Sequence, residues 1–192
     1  SEVDQLMPVF GQALKKFSYI LPEAKFILLS TPDVYEYSKN YLRHMPEGII
    51  FLTPEEVGIE KYIDFKKASF QVSDLALAAS GTVSLELAAN QTPMVIGYDL
   101  NSFSRVIISS LLRTDTVTLV NLITGNRNIP ECIGSNLNVE NLFLEMVRVY
   151  SNKQNQLNDF KLTMNLLGDN EVYPNVRAAN SLINFYNDFR RA

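Results

Sequence analysis

The chain has 192 residues, 46% hydrophobic and 20% charged, with a formal net charge of -4. That profile describes a folded globular protein and excludes a disordered one. With basic residues adjacent only at Lys15-Lys16, Lys66-Lys67 and Arg190-Arg191, it gives no electrostatic basis for nucleic-acid binding. A single cysteine, Cys132, excludes an internal disulfide framework and fits a reducing compartment. No apolar run approaches the ~18 to 20 residues of a membrane span, and the N-terminus lacks a basic-then-apolar signal. A cytoplasmic location is expected, and association with a membrane surface stays compatible with a partly apolar helix.

The opening "SEVDQLMPVFGQALKKFSYI" places Leu6, Phe10, Ala13, Leu14 and Phe17 on one helical face, with Pro8 in its first turn or at a kink. A helix at this point of an α/β domain normally follows a strand, so a strand is expected to precede this sequence. "KFILL" (Lys25 to Leu29) predicts a buried strand, "TPDVYEYSKNYLRHM" a helix started by Thr31 and Pro32, and "GIIFL" (Gly48 to Leu52) a second strand. A weaker helix, Asp64 to Phe70, leads to a strand at Leu75 to Ala78, a helix at Thr82 to Ala89 and a strand at Met94 to Gly97.

Ser102 to Leu112 is expected to be helical and Val117 to Leu122 a strand. Three helices follow, at Val139 to Tyr150, Gln154 to Leu167 and Arg177 to Phe189. Alternating strands and helices, with continuous apolar strands, predict a Rossmann-like parallel sheet with helices on both faces and a helical C-terminal tail. The breaks at Gly168-Asp169-Asn170 and "VYPNV" divide it into a body of residues 1–170 and a terminal helical segment of 171–192.

The functional signal concentrates in "DLALAASGTVSLELAANQTPMVIGY", residues 74–98. In parallel α/β sheets ligands bind beyond the carboxyl ends of strands, and Ser80, Gly81 and Thr82 fall at such a strand-to-helix junction. Backbone N–H groups attract an anion there, Gly81 permits close approach, and two hydroxyls can donate to phosphate oxygens. Glu86, four residues after Thr82, shares its helix face and can accept from both hydroxyls of a ribose. The competing reading is a helix cap in a tight turn and a solvated glutamate. There is no GxxxxGK[ST] or GxGxxG loop and no zinc-type His and Cys spacing, so no metal site is expected. The one histidine, His44, reads as structural or solvated, and Cys132 as packing.

The pieces "ASGTVSLE", "PMVIGY", "LLRTDTVTLVNLITG" and "NIPE", in this order and spacing, resemble the C-terminal half of the lipid-A-disaccharide synthase family, two-domain GT-B glycosyltransferases. The resemblance implies the donor-binding half of a GT-B fold. The implied reaction moves a diacylated glucosamine from a UDP donor to diacylated glucosamine 1-phosphate, in lipid A and lipopolysaccharide biosynthesis of Gram-negative bacteria. By position, Ser80, Gly81 and Thr82 would face the diphosphate, Glu86 the ribose, and Asn121 and Gly125 a second loop of the cleft. The implied partners are the UDP-diacylglucosamine donor, a lipid acceptor held by the other domain, the inner-membrane surface and a second copy in a homodimer. No cofactor or metal is implied, and no catalytic base lies in this stretch. Val120 and Gly134 depart from the family's usual proline and glutamine. Two other readings are open: another UDP-sugar GT-B domain of the muramyl-lipid N-acetylglucosaminyltransferase type, and a non-catalytic α/β interaction domain.

Overall fold

The computed structural model describes residues 2–30, 32–99, 115–168 and 174–191. The helix expected at Ser102 to Leu112 lies outside the described residues. The chain is α/β: α1 (Glu2–Ile20), β1 (Ile27–Leu29), α2 (Pro32–Lys39), β2 (Ile50–Leu52), α3 (Pro54–Val57), α4 (Ile59–Val72), β3 (Ala76–Ala79), α5 (Val83–Ala89) and β4 (Met94–Tyr98). It continues with α6 (Leu119–Thr124), β5 (Glu131–Ile133), α7 (Val139–Ser151), α8 (Gln154–Leu167) and α9 (Pro174–Arg191).

All pairings are parallel: β1 with β2 in one sheet, and β3-β4-β5 in another with β4 central. Helices on both faces make this the Rossmann-like arrangement that the strand-helix alternation predicts. Strand β4 explains why. All five of its residues are buried, and successive side chains enter opposite cores because a strand alternates faces. Met94 and Ile96 join Phe70, Leu87, Val120, Ile129 and Phe160 on one face, while Val95 joins Ala13, Phe17, Cys132, Leu142 and Met146 on the other. A strand covered twice must be continuously apolar.

Two glycines mark close approaches. A Cβ on Gly97 would stand 2.3 Å from Phe10 Cε1, so α1 can lie on β4 only if that residue has no side chain. A Cβ on Gly11 would stand 2.2 Å from the His44 carbonyl oxygen, and the same absence lets the short 3-10 turn Leu42–His44 rest on α1. His44 therefore serves through its backbone, its ring accepting from Arg43 Nε at 3.2 Å. Pro8 lies inside α1.

One expected strand is a correction. Residues 117 and 118 are irregular and 119 to 122 belong to α6, and the strand beside β4 is Glu131–Ile133. The β-branched run Val117-Thr118-Leu119-Val120 fits strand and buried helix equally by pattern. Long-range bonds decide it: one oxygen of Glu131 accepts from Val117 N–H at 3.1 Å, Thr118 N–H at 2.7 Å and the Thr116 hydroxyl at 2.6 Å. With those donors turned inward, residues 116 to 118 cannot offer them to a neighbouring strand.

A candidate nucleotide-binding site at the strand ends

The Ser80-Gly81-Thr82 turn leaves the carboxyl end of β3 and enters α5 at Val83. Gly81 has φ 152° with open space where a Cβ would be, so its backbone is approachable from outside. Its carbonyl faces the helix, accepting from Ser84 Oγ at 2.8 Å. Thr82 is exposed and its side chain makes no cap bond, while Ser80 Oγ donates to the Val117 carbonyl at 3.0 Å. That bond joins the first loop to the second, residues 116 to 118, which Glu131 holds from below.

Glu86 follows one turn later, its N–H bonded to the Thr82 carbonyl at 3.3 Å, as the spacing requires. Its carboxylate is paired: Glu86 Oε2 lies 2.5 Å from Lys66 Nζ of α4. One turn earlier on α4, the Tyr62 hydroxyl donates to the Ser30 carbonyl, just past β1, at 2.8 Å. Burial, and after it the negative charge of Glu86, pushes the Tyr62 phenol above its ordinary range.

Asn121 and Gly125 occupy different surroundings. Asn121 is buried on α6; its Nδ2 donates to the Ile129 carbonyl at 2.9 Å and to Thr116 Oγ1 at 3.2 Å, and its Oδ1 accepts from Ile129 N–H at 3.1 Å. It faces the interior and braces the second loop through Thr116. Gly125 ends α6 in the left-handed region at φ 73°, the usual conformation of a helix-terminating glycine. The turn beyond it is anchored by Asp159 of α8, which accepts from Asn126 at 2.7 Å and Asn128 at 2.8 Å. The structure thus brings Ser80, Gly81, Thr82 and Glu86 to one strand end, places Asn121 behind the second loop, and sets Gly125 at the far end of α6.

Sequence reasoning passed over Glu131, Lys66 and Tyr62. An acid closing the apolar "NIPE" segment was the available signal for Glu131. Lys66 lies in the weaker helix expected at Asp64 to Phe70, where nothing in the local pattern separates it from Lys67.

A family profile described as lipid-A-disaccharide synthetase matches residues 1–179. The chain belongs to that family. It is 37% identical to the lipid-A-disaccharide synthase of Ruegeria pomeroyi over 182 residues, 95% of this chain and 45% of that protein. It is 32% identical to that of Rickettsia prowazekii over 158 residues, covering 82% of the chain and 39% of the relative. Over a shorter stretch of 124 residues, 61% of the chain and 32% of the relative, it is 48% identical to that of Rickettsia canadensis. The chain therefore spans less than half the length of these curated relatives. Val120, at the head of α6, is fully buried in one cluster with Met94 and Ile96 of β4 and Phe160 of α8. None of the described helices is long and apolar enough to cross a membrane.

Proposed function

We propose that this chain is the nucleotide-donor half of a lipid-A-disaccharide synthase, holding the UDP part of UDP-diacylglucosamine for transfer to diacylated glucosamine 1-phosphate. The observation that supports it is the coincidence of family membership with the site: the Ser80-Gly81-Thr82 turn and Glu86 stand together at the end of a parallel strand. In this reading the Gly81 and Thr82 backbone and the Thr82 hydroxyl receive the diphosphate, and Glu86 accepts from the ribose. Asn121 acts through Thr116 by fixing the second loop, and Gly125 ends the helix that carries it. The acceptor and the base that activates it belong to the other domain, so the chain alone makes no disaccharide. Helix α9 crosses back to that domain, and the assembled enzyme works in the cytoplasm at the inner-membrane surface.

A rival reading draws on two contacts. Lys66 already pairs with Glu86 and Val117 already receives the Ser80 hydroxyl, as a plain cap and surface ion pair would have it. The two readings separate in a double cycle, UDP and 2'-deoxy-UDP titrated by calorimetry into wild type and Glu86→Ala. Loss of a charge-assisted bond of about 1.5 to 3 kcal/mol predicts a roughly tenfold to 150-fold weaker UDP affinity, with the 2'-hydroxyl mattering in wild type and not in the variant. Equal factors in both proteins would remove Glu86 from the ribose.

A further inference from the structure

A glutamate one helical turn from a diphosphate poses an electrostatic problem. The carboxylate suits a ribose, yet its negative charge opposes the phosphates beside it, and the effect is large wherever water is partly excluded. The structure contains an answer on α4. Tyr62 and Lys66 stand four residues apart, hence on one helix face. That face runs from the end of β1, where Tyr62 reaches Ser30, to α5, where Lys66 reaches Glu86. The Lys66 side chain is 30% exposed, and its ammonium lies 5.7 Å from the Phe70 ring centroid. Phe70 itself is a core residue, so the lysine stem is laid over the protein and not extended into water. Among the described residues, Arg127, between α6 and β5, is committed to Asp115 and to the Asn121 and Asn126 carbonyls.

We propose that Lys66 is the charge-compensating residue of the nucleoside-diphosphate site: paired with Glu86, it offsets that carboxylate against the neighbouring diphosphate. The inference rests on the proposed donor-site reading and adds a residue to it. A lysine that only stabilised the fold would affect every ligand of the site alike. One that compensates charge affects ligands in proportion to their phosphates, and arginine, equally cationic, substitutes for it.

The test is calorimetric titration of the full-length protein with UDP and with uridine, which shares the base and ribose and lacks the phosphates. Lys66→Met keeps the apolar stem over Phe70 and removes the charge. It is expected to weaken UDP about tenfold or more and uridine about twofold or less, while Lys66→Arg stays within about threefold of wild type for both. The ratio of the two affinities should also lose part of its dependence on ionic strength in Lys66→Met. If Lys66→Met does not fold, judged by its thermal transition, Lys66→Gln reads the same ratio. In Glu86→Gln, uridine should weaken more than UDP, because removing the negative charge costs a ribose contact and relieves repulsion of the phosphates. Equal losses for UDP and uridine, or no loss for either, would overturn the inference while the donor-site reading survives in wild-type UDP binding. Wild type that binds no UDP overturns both.

Discussion

Helix α7 buries Leu142, Met146 and Val149 against α1 and β4, whereas α9 leaves Leu182, Ile183, Phe185, Tyr186 and Phe189 exposed, each between 55% and 74%. Both segments have apolar residues at helical spacing, and both are helices in the structure. The pattern alone accounts for the helix and not for its cover. Cover for α7 comes from α1 and β4, whose Ala13, Phe17 and Val95 pack with Leu142, Met146 and Val149, Gly97 letting α1 lie close on β4. Between α9 and α8, Arg177 Nη1 donates to the Leu167 carbonyl at 2.9 Å. An exposed apolar stripe is what the proposed crossing of α9 to the other domain requires.

The widest difference between the two helices should be in stability. Leu142→Ala removes a fully buried side chain and is expected to cost about 2 to 5 kcal/mol, whereas Phe185→Ala in this chain should cost less than about 0.5 kcal/mol. Urea denaturation of both variants measures it. Phe185→Ala as costly as Leu142→Ala would mean that α9 is covered by the body of the chain. Polar replacement of Leu182, Ile183 and Phe185 together should lower self-association in light scattering without moving the unfolding midpoint. A wild-type chain that is strictly monomeric and equally soluble would break the assignment of α9 as a sticky face.

The sequence is readable where one element is decided by its own residues. Strand β4 and helices α7 and α8 follow from apolar runs and helical spacing, and Ser80 to Thr82 were recognisable as a strand-to-helix turn. It is unreadable where a distant group decides. Residues 117 to 122 look like a strand until Glu131 takes their N–H groups. The short β5 was hidden because "ECI" begins with an acid and has only three residues. Lys66 could not be told from Lys67, since the distinction is a contact across 20 residues of sequence with Glu86. The inward role of Asn121 depends on Ile129, eight residues away, and a motif resemblance does not say which way a side chain faces.

Buried polar contacts make the second, smaller test of what is covered. Asn121→Ala leaves the buried N–H and carbonyl of Ile129 without their side-chain partners and is expected to cost about 1 to 3 kcal/mol. Gln154→Ala on the exposed start of α8, where Nε2 reaches Asn158, should cost less than about 0.5 kcal/mol. If the two variants share a denaturation midpoint, water reaches Ile129 and the second loop is not braced as described. UDP affinity offers an independent reading: loosening residues 116 to 118 should weaken binding without altering the response to the 2'-hydroxyl, because Glu86 is untouched.

The smallest expected effect tests whether the core under α7 is dry. Cys132 lies in that core, 3% exposed among Val95, Leu142 and Met146, and burial pushes its thiol up to about 11, with the charge of Glu145 adding to the rise. An unfolded chain releases the same proton near pH 8.5 to 9. The folded pKa exceeds the unfolded one, so this contribution is fully present below about pH 8.5 and is lost as the pH rises toward 11, where the unfolded thiolate draws the equilibrium over. Other groups titrate in that range, which makes a difference measurement necessary. Cys132→Ala lacks the thiol and carries a constant cavity penalty, so the stability gap between it and wild type should narrow by about 1 to 2 kcal/mol between pH 8 and 10. Alkylation of wild type should be slow over the same interval and should accelerate with unfolding, since only the thiolate is nucleophilic. A gap independent of pH, together with rapid alkylation of the folded chain, would mean that water enters beneath α7, and the contrast with α9 would then be one of degree.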